Sequence, residues 1–177
     1  MKIKVLPHED FDVMCYKHGL DDDTLDEMTS NEDYLYAFIS IIGTPECRKH
    51  YLEDETDHWF KRDHPNVLNL EFDDVTEDLE WKGHLFKAMT EEQADQCIEF
   101  LERNKGKIFY IHCKAGISRS GAFGRFIFDF YNQDKIYKKD EFERDNAHIR
   151  PNNHVLRLLK RSYYKKHGLF IDNQGEF

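Results

Sequence analysis

The chain has 177 residues, of which 40% are hydrophobic and 14% aromatic, so it is large and apolar enough to bury a globular core. Its formal net charge is −10 at pH 7. Nucleic acids and anionic membrane surfaces repel acidic proteins, so we expect neither as a partner. No apolar run is long enough to span a membrane, and we expect no secretory signal.

The four cysteines are Cys15, Cys47, Cys97 and Cys113. They form no C-x-x-C pair, and they do not combine with histidines at the spacing of a zinc site. A reactive free thiol requires a reducing compartment, so we expect the protein to be cytoplasmic.

Two polar clusters lack the spacing that metal binding requires. The acidic run from Asp21 to Asp33 has neither the alternating ligands nor the central glycine of a calcium loop. His50, His58 and His64 have no liganding neighbours at helical spacing. We interpret the acidic run as a solvated loop with a short helix, and metal binding is the alternative for both clusters.

Short apolar runs alternate with helical patterns along the chain. The runs predict strands over Ile3 to Leu6, Tyr36 to Ile42, Val67 to Phe72 and Lys107 to Ile111. Helices are predicted over His8 to His18, Thr90 to Asn104, Ser118 to Tyr131, Lys139 to Ala147 and Pro151 to Lys166. This alternation predicts the α/β class, with a central, mainly parallel sheet of about four to five strands flanked by helices on both faces. We expect one domain over residues 1–177, with a flexible tail at residues 168–177.

The segment between the fourth predicted strand and the helix after it has the composition of an anion-binding loop. A short turn from a strand into a helix leaves several backbone N–H groups unpaired at the positive end of the helix dipole. Cys113 lies at the base of this turn, where the helix terminus and a guanidinium favour the thiolate. Gly116 allows the backbone to turn inward, and Arg119 can donate two N–H groups to one phosphate. This combination predicts attack by a thiolate on phosphorus.

The loop resembles the signature of the cysteine-dependent protein tyrosine phosphatase superfamily, His-Cys-x-x-Gly-x-x-Arg-Ser. The matching residues are His112, Cys113, Gly116, Arg119 and Ser120, and the fillers Ala115, Ile117 and Ser118 are common in the dual-specificity branch. The resemblance implies a dual-specificity phosphatase-like fold. It also implies that Arg119 and the backbone amides of the loop bind the phosphate, over Lys114, Ala115, Gly116, Ile117, Ser118 and Arg119.

The same resemblance implies an aspartic acid upstream of the loop as the general acid. Asp73 and Asp74 follow the third predicted strand. A bacterial branch of these phosphatases ends that strand with Phe-x-Asp-Ile, which Phe72-Asp73-Asp74-Val75 resembles, and this favours Asp74. The Pro151-Asn152 pair resembles the start of the last helix in that branch. Asp78 is a further candidate, because the segment from Glu77 to Met89 is long enough to form a lid.

The mechanism implied by the resemblance has two steps and requires no metal or cofactor. Cys113 attacks phosphorus while Asp74 protonates the leaving oxygen. Asp74 then activates water, and Ser120 assists departure of the thiolate from the phosphocysteine. His112 precedes the nucleophile and is expected to orient the loop by hydrogen bonds. The other three cysteines are expected to be inert, or one of them to be a disulfide partner of Cys113.

Several functions remain compatible with the loop. The favoured substrate is a protein phosphorylated on tyrosine, serine or threonine, because Lys114 is the only lysine within the loop. The same chemistry on a phosphoinositide, a nucleotide or an RNA 5′-phosphate is an alternative. A non-catalytic phosphate-binding module and a rhodanese-like sulfur transferase are further alternatives, although the Arg-Ser pair after the loop is not typical of the latter.

Overall fold

Four parallel strands form the central sheet of the computed structural model, which describes residues 2–29, 34–51, 57–132 and 137–169. The strands in these ranges are β1 (Ile3–Pro7), β2 (Tyr36–Ile42), β3 (Val67–Glu71), β4 (Leu79–Trp81), β5 (His84–Phe86) and β6 (Ile108–Cys113). The central sheet has the order β1-β6-β2-β3, and β4 pairs with β5 as a separate antiparallel hairpin. Since the central strands are parallel, their carboxyl ends share one edge of the sheet.

Helices cover both faces of this sheet. The helices in the described ranges are α1 (His8–Lys17), α2 (Asp22–Thr29), α3 (Pro45–His50), α4 (Glu91–Arg103), α5 (Arg119–Tyr131), α6 (Lys139–Asp145) and α7 (Asn153–Lys166). Successive side chains of a strand point to opposite faces. Along β6, Phe109 and Ile111 enter the core that contains residues of α4, α5 and α7, whereas Tyr110 packs against a second core that contains Phe11 of α1. The predicted α/β architecture with helices on both faces is therefore confirmed.

The four predicted central strands are all present. The last of them, predicted over Lys107 to Ile111, continues in the structure to Cys113. The helix predicted to begin after Thr90 is α4, and both hydrogen bonds of its capping box form between Thr90 and Gln93. None of the helices in the described ranges is both long and apolar enough to cross a membrane.

Two features of the fold were not predicted from the sequence. Helix α3 has six residues and begins after Thr44, whose side chain accepts a hydrogen bond from the backbone N–H of Cys47. The β4–β5 hairpin turns at Lys82 and Gly83, which both have positive φ angles. Both elements are too short for the periodicity that predicts longer helices and strands.

Two expectations fall partly on residues that the structure does not describe. The short helix expected within the acidic run is α2, while residues 30–33 of that run lie outside the described ranges. The predicted flexible tail begins at residue 168, and from residue 170 onward it also lies outside them.

Candidate active site

The predicted phosphate loop lies at the carboxyl edge of the sheet, between the end of β6 and the start of α5. Gly116 has a φ of 70°, and a Cβ added there would lie 2.5 Å from the backbone of Leu6 and Pro7. The loop is also tied to this junction of β1 and α1, because the His8 N–H donates to the Lys114 carbonyl at 3.2 Å. Glycine is therefore required at position 116 for both conformation and space.

The peptide units of the loop have a consistent orientation. The carbonyls of Ile117 and Ser118 accept hydrogen bonds from the backbone N–H groups of Arg150 and Asn152, at 2.9 and 3.1 Å. In a trans peptide the N–H points opposite to the carbonyl of the same unit. The N–H groups of Ser118 and Arg119 therefore point away from Arg150 and Asn152. Backbone N–H groups that share a direction can bind an anion.

Cys113 is almost completely buried, with 2% of its surface exposed, and its sulfur lies 3.1 Å from the Ser120 hydroxyl. Burial alone would raise the pKa of the Cys113 thiol. The Arg119 guanidinium, the Ser120 hydroxyl and the N–H groups of Ser120 and Ile117 outweigh burial and hold this pKa below its usual value. The site therefore favours the thiolate, which is the nucleophilic form.

Arg119 reaches across the loop to the end of β3. Its Nη1 donates to the Phe72 carbonyl at 2.8 Å, which fixes the guanidinium in a buried position. Its Nε is also buried and makes no hydrogen bond within the described residues. A buried donor without a partner is costly unless a ligand supplies an acceptor. The guanidinium is therefore oriented by one hydrogen bond and retains a donor for an anion.

The two neighbouring aspartates after β3 have different surroundings. Asp74 is exposed at the protein surface, and its Oδ1 accepts a hydrogen bond from the Ser118 hydroxyl of the loop at 2.8 Å. Asp73 has no exposed surface, and its carboxylate accepts hydrogen bonds from Thr44 and from the backbone N–H of Lys87. Asp74 is thus the aspartate in contact with the loop. Asp73 instead links Thr44, which precedes α3, to Lys87, which follows β5.

Asp78 lies further along the same connection. Its carboxylate accepts hydrogen bonds from Lys87 Nζ at 2.9 Å and from the Ala88 N–H at 3.0 Å, and these bonds lower its pKa. The segment predicted as a lid forms the β4–β5 hairpin, where Trp81 and Phe86 contact the His50 ring of α3. These bonds hold Asp78 against the residues that follow β5.

His112 points to the opposite face of β6 from Cys113. Its Nε2 lies 2.7 Å from the Ser40 hydroxyl, which in turn lies 2.6 Å from Nδ1 of His58. The His112 ring stacks on Phe11 with 4.2 Å between ring centroids. Burial, followed by the nearby positive groups, lowers the pKa of His112 well below its usual value. A neutral His112 thus links the end of β6 to β2, a partnership that the sequence did not reveal.

The other cysteines and the candidate metal clusters have separate surroundings. All four cysteines are free, and burial raises the pKa of Cys15 to about 12 and that of Cys97 well above its usual value. His58 bonds to Ser40, while His64 lies between two carboxylates of α2. Among the described residues, no group of three or more His, Cys, Asp or Glu side chains has the geometry to hold a metal ion.

Comparison with solved structures gives several similar chains, among them the following two. No protein-family model and no curated protein matches the chain. The chain is similar to PTPMT1 in its crystal structure in complex with PI(5)P, with 18% identity and a TM-score of 0.41, over 80% of this chain and 86% of that one. It is also similar to the human tyrosine phosphatase-like serine/threonine/tyrosine-interacting protein, with 19% identity and a TM-score of 0.41, over 84% of this chain and 86% of that one. Similarities of this size do not establish an activity for the chain.

Proposed function

We propose that the protein is a cysteine-dependent phosphomonoester hydrolase that acts through a phosphocysteine intermediate. The observation that carries this proposal is the pairing of Cys113 and Arg119. The thiol has a lowered pKa despite its burial, and the guanidinium beside it keeps a buried Nε donor without a partner in the described residues. The thiolate can act as the nucleophile, while the Arg119 Nε and the backbone N–H groups of the loop can bind the oxygens of a tetrahedral oxyanion.

In the first step, the Cys113 thiolate attacks phosphorus and forms the S–P bond as the P–O bond to the leaving group breaks. Asp74 transfers its proton to the departing oxygen, so an alcohol or phenol leaves instead of an alkoxide or phenolate. Arg119 and the loop N–H groups bind the non-bridging oxygens and offset their negative charge in the transition state.

In the second step, water attacks the phosphocysteine. The ionised Asp74 accepts a proton from this water, the O–P bond forms and the S–P bond breaks. The electron pair returns to sulfur, where the Ser120 hydroxyl, 3.1 Å away in the resting protein, donates a hydrogen bond to the thiolate. Inorganic phosphate is released, and the Cys113 thiolate and the protonated Asp74 are restored for the next cycle.

A phosphoprotein is the substrate that the loop's surface supports best. Ile117 is 38% exposed within the loop, so it offers an apolar contact beside the phosphate site to a tyrosine ring or a flanking apolar residue. Lys114 is the only lysine in this stretch, whereas a polyanionic headgroup favours several cations. We therefore propose phosphotyrosine or phosphoserine/threonine in a protein as the substrate class.

The test is hydrolysis of 4-nitrophenyl phosphate in the presence of EDTA. We expect activity in the parent, a loss of at least about 10³-fold in Cys113→Ser, and retention of activity in Cys97→Ala, whose thiol lies on α4 and not in the loop. Phosphotyrosyl peptides, phosphothreonyl peptides and a soluble phosphoinositide then compare substrate classes by kcat/KM. An inactive parent that still binds tungstate would instead favour a non-catalytic phosphate-binding module.

A further inference from the structure

One oxygen of Asp74 receives two hydrogen bonds. Oδ1 accepts from the Ser118 hydroxyl and from Nδ2 of Asn152, each at 2.8 Å. Two donors occupy the two lone-pair directions of a carboxyl oxygen. When the group is protonated, its proton is therefore excluded from Oδ1 and must reside on Oδ2.

Asn152 is itself held by several hydrogen bonds. Its side-chain oxygen accepts from the N–H groups of His154 and Val155, at 3.0 and 3.2 Å, and so caps helix α7. Its backbone N–H donates to the Ser118 carbonyl at 3.1 Å. With its oxygen committed to the helix cap, only the NH2 group can face Asp74. This fixes the amide orientation and the direction of the donor.

We propose that Asn152 and Ser118 are positioning residues that fix the acidic proton of Asp74 on Oδ2. This inference rests on the proposed function and adds to it the residues that orient the general acid. Asp74 is exposed, so without these bonds its side chain would sample several rotamers. The two donors hold it at the rim of the loop and turn the proton-bearing oxygen towards the leaving group.

The inference predicts a defect that depends on the leaving group. Phenolate is more basic than 4-nitrophenolate, so phenyl phosphate needs the general acid more. We expect Asn152→Ser and Ser118→Ala each to lower kcat/KM for phenyl phosphate about tenfold, and that for 4-nitrophenyl phosphate by less than about threefold, because kcat/KM includes the step in which the leaving group departs. Asp74→Asn should show the same selectivity with a larger loss, about 10²-fold on phenyl phosphate.

The variants separate this role from a purely structural one. Serine at position 152 can still cap α7, and the Ser118 side chain makes no cap bond to α5, so neither change removes a helix cap. Thr90→Ala is the matched control, because it removes the cap of α4 and leaves the loop contacts intact. It should lower the melting temperature without changing the ratio of the two rates.

The results distinguish the two proposals. If the parent hydrolyses neither ester, the proposed function fails and this inference fails with it. If the parent is active and Asp74→Asn is selective for the leaving group, but Asn152→Ser and Ser118→Ala lower both rates equally, the positioning role alone is overturned. If one variant does not fold, the other decides the result.

Discussion

Cys113 and Cys97 are both almost fully buried, at 2% and 0% exposure, yet the pKa values of their thiols are shifted in opposite directions. Cys97 lies on α4 among apolar side chains, and burial raises its pKa well above the usual value. Cys113 lies at the end of β6, where a guanidinium, a hydroxyl and two N–H groups bring its pKa below the usual value despite the same burial. Burial alone makes a cysteine inert, and oriented donors make it reactive.

Removing the Arg119 guanidinium should have the largest effect on the difference in pKa between Cys113 and Cys97. In Arg119→Met we expect hydrolysis of 4-nitrophenyl phosphate to fall about 10³-fold, because both the phosphate ligand and the positive charge beside the thiolate are lost. The pKa of Cys113 should rise, so that alkylation by iodoacetamide requires a higher pH. A pH series of alkylation rates, read by mass spectrometry, measures this directly.

The matched control is Arg125→Met, because Arg125 lies on the same helix and pairs with Asp129 at the surface. It should retain activity and leave the alkylation profile of Cys113 unchanged. In the parent, Cys97 and Cys15 should stay unmodified at a pH where Cys113 reacts, since their pKa values are raised. Equal alkylation of Cys113 in the parent and in Arg119→Met would mean that the guanidinium does not create the thiolate.

Changing the shape of the loop should have the next largest effect. In Gly116→Ala the new methyl group would meet the backbone of Leu6 and Pro7 at 2.5 Å, so the loop must move. A displacement of about 1 Å of the phosphate-binding groups can cost about 10²-fold in rate. We expect a loss of this size in kcat/KM, together with a lower melting temperature.

Gly19→Ala separates crowding from backbone strain. Gly19 has a φ of 60°, close to that of Gly116, but no atom lies within 4 Å of its added Cβ. It should lose about 1 kcal/mol of stability for the left-handed conformation and keep its activity. If Gly116→Ala behaves like Gly19→Ala, the close approach to β1 has no role in shaping the loop.

The sequence predicted well those features whose determinants are contiguous. Buried parallel strands appear as continuous apolar runs, so β1, β2, β3 and β6 were all found. The loop from Cys113 to Arg119 also concentrates its nucleophile, its glycine and its guanidinium in seven consecutive positions. Because all of these groups are close in sequence, the loop can be recognised without a structure.

Features that depend on distant partners were not predictable in this way. Asp73 and Asp74 are adjacent, and successive residues of an extended segment point to opposite sides, which does not indicate which of the two faces the loop. Their distinction depends on Thr44 and Asn152, which approach from 29 and 78 residues away. The Pro151-Asn152 pair carries a resemblance, but nothing in the sequence indicates which residue Asn152 contacts. The catalytic role of Asp74 remains a prediction.

Removing the Ser120 hydroxyl, which lies beside the Cys113 sulfur, should have the smallest effect. In Ser120→Ala the thiolate loses one hydrogen bond, and a bond to a charged group contributes about 1.5 kcal/mol or more, which is about tenfold in rate. The loss should fall on the second step, where the thiolate is the leaving group, so stopped-flow measurements should show a larger burst of 4-nitrophenol before a slower steady state. Ser162→Ala, which removes a hydroxyl bonded to Asp95, is the control. A slower reaction without a burst would instead assign the hydroxyl to activation of the Cys113 nucleophile.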